Sequence, residues 1–90
     1  MTMIDEKIHS IESNVLDMHH FNTNEIGELI DEFVWACLSK NFPEGIIIHG
    51  KGTGALRDLV HQRLKKDCRV VRFHLDGSNW GKTIFHLQKK

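Results

Sequence analysis

Ninety residues with twelve Lys or Arg against twelve Asp or Glu make one small domain of zero formal net charge, long enough to bury a modest core without disulfide or metal. No apolar stretch approaches the roughly 20 residues that span a bilayer, which excludes a membrane-spanning helix. Cys37 and Cys68 lie far apart without a paired C-x-x-C spacing, and no basic-then-apolar leader precedes them, so a soluble protein of a reducing cytoplasm is expected.

The zero hides a division. Residues 1–44 hold nine of the twelve acids and only Lys7 and Lys40 as bases, whereas residues 45–90 carry ten Lys or Arg against Asp58, Asp67 and Asp76. A basic half can draw a polyanion to one face of a neutral protein, unless the two halves intermix in space and cancel.

Residues 1–14 form an N-terminal extension in which Ile4, Ile8 and Ile11 recur at spacings of four and three, the pattern of one short helix against the body or of a frayed tail. Val15 to His19 alternate apolar and polar side chains, as a half-buried strand does, and this puts Asp17 and His19 on one face. Asn22 with Glu25 reads as a capping box, after which Ile26, Leu29, Ile30, Phe33, Val34, Cys37 and Leu38 repeat at helical spacing. Phe42-Pro43-Glu44-Gly45 ends that helix, and Ile46 to His49 make a second strand. About thirty residues with a helix between them separate the two strands, the arithmetic of a parallel βαβ unit. A second helix takes Leu56, Leu59, Val60 and Leu64 inward. Arg69 to Leu75 and Lys82 to Leu87 make two further strands, with Asp76 to Gly81 as a long hairpin loop between them.

The densest chemistry follows the second strand, in His49-Gly50-Lys51-Gly52-Thr53-Gly54. Glycines at alternate positions permit backbone conformations and close approaches that a side chain blocks, so successive N–H groups can converge on one anion. A helix starting near Thr53 or Gly54 adds its positive end. The plainer reading is a tight strand-to-helix connection, but a histidine and a fixed cation are more than a turn requires. Gly45 to Lys51 imitates a nucleotide-triphosphate loop, yet its middle is apolar and Gly52 stands where Ser or Thr holds magnesium. The glycine spacing also misses the dinucleotide fingerprint.

If the first two strands are parallel neighbours, Asp17 and His19 end at the same sheet edge as His49 and the glycine turn. Imidazoles that move protons, with cations and N–H groups over a phosphate, suit phosphodiester cleavage. Asp17 can orient a histidine, or ligate a metal with His19 or His20, although Asp-x-His-His is a weak metal motif. His20, His74 and His86 read more readily as surface or packing residues, and His9 and His61 carry no argument for a role.

Leu16-Asp17-Met18-His19 followed by Ile48-His49-Gly50-Lys51-Gly52-Thr53-Gly54-Ala55-Leu56-Arg57 resembles the Smr (small MutS-related) domain family over about residues 15–88. Trp80-Gly81-Lys82-Thr83-Ile84 is similar to the family's late turn and last strand. The resemblance implies an α/β fold, a two-layer α/β sandwich with a four-stranded mixed sheet and two helices (βαβαββ) over residues 15–90. It implies binding of DNA or RNA and endonuclease activity, DNA nicking or RNA cleavage, with a place in DNA repair. Catalysis falls on Asp17, His19 and His49, and phosphate binding on Gly50, Lys51, Gly52, Thr53, Gly54 and Arg57. A divalent metal is compatible but not required, so no metal ligand is assigned. The chain has His20 where the family usually has glycine, which bears on catalytic rate more than on fold or binding. The competing readings are a DNA- or RNA-binding module that cuts nothing and an enzyme acting on a small phosphate compound. Trp80 can stack on an unpaired base or cover the core edge.

Overall fold

The computed structural model describes residues 13–18, 21–52, 54–77 and 79–88. The N-terminal helix expectation, His19, His20, Thr53 and the side chain of Trp80 lie outside the described residues. The chain runs β1 (Val15–Asp17), a 3-10 turn (Thr23–Glu25), α1 (Ile26–Ser39), β2 (Glu44–Ile48), α2 (Ala55–Lys66), β3 (Val70–Asp76) and β4 (Asn79–Leu87). The four strands form one sheet in the order β1-β2-β4-β3, with β1 parallel to β2 and the other two pairs antiparallel. This is the two-helix, mixed-sheet sandwich expected from the sequence.

The apolar stripe of α1 buries Ile26, Leu29, Ile30, Phe33, Val34, Ala36 and Cys37, and Val60 and Leu64 of α2 join them. The sheet answers with Leu16, Met18, Ile47, Phe85 and Leu87. Phe33 and Phe85 meet edge to face, their ring centroids 5.8 Å apart at 82°, a geometry that the aromatic quadrupole favours. Phe85 also lies across Gly45, its cross-strand partner: a Cβ at Gly45 would stand 2.3 Å from the ring. That glycine serves the core, not a ligand.

Both ends of α1 depart from the simplest sequence reading. The capping box is absent: the Asn22 side chain makes no cap bond, and the Glu25 N–H donates instead to the backbone carbonyl of Asn22 at 3.0 Å, which closes the 3-10 turn. At the other end Asn41 takes the left-handed conformation (φ 62°). The Asn41 N–H donates to Leu38 O and the Phe42 N–H to Cys37 O, the paired bonds of a Schellman motif. Chain reversal therefore starts before Pro43.

The long loop expected between β3 and β4 is a tight connection. Asp76 pairs with Asn79, but Leu75 pairs with Thr83, so β4 bulges between those two positions. A bulge bends its strand and re-aims backbone groups; here it presents the Gly81 carbonyl to the end of β2. The acidic and basic halves meet where Arg69, at the head of β3, pairs with Asp31 of α1 and with Asp67. That clamp holds the Asp67 carboxyl below its ordinary value, chiefly through the hydrogen bond from Arg69.

Candidate nucleic-acid interface

The end of β2 is shaped by alternation. Gly45 and Ile47 face the helices, and His49, two residues on, continues inward and is only 4% exposed. Its N–H and that of Gly50 both donate to Gly81 O, at 2.9 and 3.0 Å. Gly50 (φ 82°) and Gly54 (φ 88°) occupy the left-handed region, where an L side chain is strained. Gly54 is the residue before α2, and its carbonyl accepts the Asp58 N–H at 2.9 Å. Lys51 and Gly52 are exposed at the crest of the turn. Among the described residues, and its own chain neighbours aside, a Cβ at Gly52 would meet no atom within 4 Å, and its φ is not positive. Arg57 folds back over the start of α2: its Nη2 lies 2.7 Å from the position a Gly54 Cβ would take, and it donates to Asp58 Oδ1 at 3.2 Å.

Exposed backbone, an exposed lysine, a half-buried arginine and the positive end of a twelve-residue helix thus surround one small patch. Such a patch binds anions through N–H groups and the helix dipole. One of the expected N–H donors is not on offer, because Gly81 already accepts that of Gly50 along with that of His49.

His49 is engaged on both ring nitrogens. Nδ1 lies 3.0 Å from Gly50 O and Nε2 2.8 Å from Thr83 Oγ1. Thr83 is fully buried on β4 and also lies 2.8 Å from Nε2 of His61, whose ring packs on Phe73. Burial is the first cause lowering the proton affinity of both histidines; Arg57 lowers it further in each, and His49 does so in His61. Sequence reasoning missed Thr83 and His61. The available signal was a polar residue on the inward row Gly81, Thr83, Phe85, Leu87, all buried.

Asp17 ends β1 at the same sheet edge but on the other face. It pairs with Ile48, whereas Leu16 pairs with the inward Ile47, and Asp17 is exposed while Leu16 and Met18 are buried. The two motifs are therefore neighbours along the edge, and Asp17 does not converge on the His49 ring. Among the described residues no group of three or more His, Cys, Asp or Glu is placed to hold a metal ion, and no helix is long and apolar enough to cross a membrane.

The family model described as the Smr domain matches residues 16–84. The chain is 39% identical over 66 residues to an endonuclease MutS2 of Gemmatimonas aurantiaca, covering 73% of this chain and 8% of that protein. A MutS2 endonuclease of Geobacillus sp. is 43% identical over 54 residues, 60% of this chain and 7% of its own length. The chain thus spans less than a tenth of these relatives. The crystal structure of the Smr domain of Thermus thermophilus MutS2 superposes with a TM-score of 0.80 at 25% identity, covering 84% of this chain and 99% of that one. YdaL, a stand-alone small MutS-related protein from Escherichia coli, has the same fold, with a TM-score of 0.80 at 19% identity over 88% of this chain and 67% of its own. Sequence motifs, sheet order and relatives agree: this chain belongs to the Smr domain family.

Proposed function

We propose that this chain is a nucleic-acid endonuclease domain, which holds a backbone phosphate over the Gly50–Gly54 turn and cleaves beside it, by DNA nicking or RNA cleavage. The observation that carries the reading is Gly52. Neither its backbone angle nor its neighbours require glycine, so its bareness serves something that approaches from outside. Lys51 and Arg57 supply charge, Thr53 and the positive end of α2 complete the cradle, and Asp17 at the end of β1, with His19 two positions further along the sequence, supplies proton transfer. His49 acts as a positioning residue: its ring bonds tie the turn to β4. With RNA, the 2′-hydroxyl supplies an internal nucleophile, and His19 with the cations of the turn suffices; DNA needs an activated water, with which a divalent metal can assist. The relatives bear the name endonuclease MutS2, in line with a role on DNA during repair. Two free cysteines, one of them exposed, fit a reducing cytoplasm.

The binding module that cuts nothing is favoured by one observation: His49, only 4% exposed and bonded at both nitrogens, offers no free ring nitrogen to a substrate. A cleavage assay on labelled single-stranded RNA, duplex DNA and branched DNA, with EDTA or with magnesium or manganese, separates the readings. The endonuclease reading expects cleavage that Asp17→Ala and His19→Ala abolish. Salt-sensitive binding without cleavage, weakened by Lys51→Ala and Arg57→Ala, establishes the module.

A further inference from the structure

We propose that His61, Thr83 and His49 form a relay that holds one proton, with His61 as its outer port, and that this proton moves to His49 when a phosphate occupies the glycine turn. The second clause rests on the reading of the turn as a phosphate site; the first rests on hydrogen-bond geometry alone.

The geometry determines each donor in turn. Gly50 O can only accept, so Nδ1 of His49 carries a hydrogen. In the neutral ring Nε2 is then a bare acceptor, and among the described residues the group bonded to it is the Thr83 hydroxyl at 2.8 Å, which donates its single hydrogen there. Having given that hydrogen away, Thr83 Oγ1 accepts from His61, whose Nε2 therefore carries a hydrogen. The chain of bonds runs in one direction, from His61 to Thr83 to His49 to Gly50.

Adding one proton reverses its middle. A proton taken up at Nδ1 of His61 makes that ring cationic. Its Nε2 hydrogen then passes to Thr83 Oγ1 while the Thr83 hydrogen passes to Nε2 of His49. His49 ends cationic with hydrogens on both nitrogens. His61 ends neutral, with its hydrogen on Nδ1 and its Nε2 accepting from Thr83. The Nε2–H bond of His61 and the O–H bond of Thr83 break, a new O–H bond forms at Thr83 and a new N–H bond at Nε2 of His49, and the proton from solvent stays on Nδ1 of His61. Two protons do not fit, because two Nε2–H groups would then both point at Thr83 Oγ1 and leave its own hydrogen without an acceptor in a fully buried site. Single occupancy makes the two rings titrate as a pair.

The charged groups bearing on the pair are few. Among the described residues, Arg57 of α2 acts against protonation of both rings, and Asp58 favours it at His61; β3 contributes the Phe73 ring and β4 the neutral Thr83. An anion beside Arg57 offsets that opposition at both rings, and it stands nearer His49, which is bonded to Gly50 of the turn itself, so binding at the turn draws the proton inward to His49. His61 is only partly buried, which gives the buried His49 a route to solvent that its own 4% exposure does not.

The test is nitrogen-15 NMR of the histidine rings of the full chain between pH 8 and 4, with and without a single-stranded oligodeoxynucleotide in EDTA. At high pH His49 is expected with its hydrogen on Nδ1 and His61 with its hydrogen on Nε2. The two rings should share a first titration step, and the second proton should enter only more than one pH unit lower. Thr83→Ser should keep this pattern, and Thr83→Val should split it into two independent single steps. Adding oligonucleotide should raise the first step and move the proton to His49, and affinity should rise as pH falls through that step in the wild type and Thr83→Ser but not in Thr83→Val. His49 with its hydrogen on Nε2 at high pH, or independent titrations unchanged by Thr83→Val, would overturn the relay. If the free protein titrates as a pair but no oligonucleotide binds, the phosphate site is what has failed.

Discussion

Alanine at Gly52 and alanine at Gly54 should do opposite things, and the contrast tests whether the turn is built for a ligand. At Gly54 the backbone sits at φ 88°, where a Cβ costs about 1–2 kcal/mol. The nearest atom, Arg57 Nη2 at 2.7 Å, is the far end of a flexible side chain and can move aside. Backbone strain therefore dominates, and Gly54→Ala should lower stability by about 1–2 kcal/mol, or Tm by roughly 4–16 °C for a domain of this size. Gly52 has an ordinary φ and empty space around its missing Cβ, so Gly52→Ala should stay within about 0.5 kcal/mol of wild type. The new methyl nevertheless stands at the crest of the turn. Displacing a bound phosphate from one charge-assisted N–H bond costs about 1.5–3 kcal/mol, a loss of affinity of about tenfold or more. Urea unfolding gives the first quantity and fluorescence anisotropy with a labelled oligonucleotide the second. Wild-type affinity in Gly52→Ala would remove the reason for placing the phosphate there. Wild-type stability in Gly54→Ala would show that the turn does not hold the backbone described.

Gly45→Ala should be more damaging than either, because its Cβ meets the buried Phe85 ring at 2.3 Å. Overpacking of this kind costs about 1–3 kcal/mol, and Phe85→Leu added to it should recover part of the loss in a double-mutant cycle, whereas simple additivity would refute the clash. Cys37 is buried and its thiol is pushed up to about 12 by desolvation, while Cys68 is exposed. A thiol reagent at pH 8 should therefore modify Cys68 alone in the native protein and both cysteines after denaturation; fast modification of Cys37 would contradict the packing. Stability should fall in two pH windows followed by thermal melts. His49 and His61 have lowered affinity for protons when folded, so the unfolded chain binds more protons and stability declines as pH drops below about 6.5. Asp67 is also depressed: its contribution is complete above the unfolded value of about 3.9 and disappears as pH falls through the lower folded value. Arg69→Ala should remove the second window and leave the first.

What the sequence reveals follows the range of the interaction. The stripe of α1 and the parallel pairing of β1 with β2 rest on spacing within a segment or across one crossover, and both are legible. The end of α1 is local too, yet Pro43 distracts from Asn41, whose left-handed conformation makes the turn. The capping box fails because a backbone carbonyl takes the N–H that the Asn22 side chain was expected to bind. The length of the β3–β4 connection is hidden because the bulge at residues 80–82 has no periodic signature. In the site, alternation shows that Asp17 and His49 each point to one face of a strand. Which faces coincide depends on the register of Leu16 with Ile47, and neither strand encodes that alone. Contact between His61 and Thr83, 22 positions apart on a helix and a strand, is a purely tertiary fact.

The position of β1 sets how the site comes and goes. It is a three-residue strand at the sheet edge, tied to β2 by the Met18 N–H to Ile48 O bond, the Ile46 N–H to Asn14 O bond and the Asn14 side chain on Glu44 O, with Leu16 and Met18 as its apolar anchors. Its pairing closes a loop through all of α1, whereas β3 and β4 are joined through residues 77–78. Loop-closure entropy places the distant pairing late in folding, and edge strands with few bonds open first in the native state. The strand carrying Asp17 is thus the last part to assemble and the first to leave. Its amides will exchange with solvent well before those of β4, and mild denaturant will detach Leu16 and Asp17 from the end of β2 while the two helices and the remaining three strands still stand.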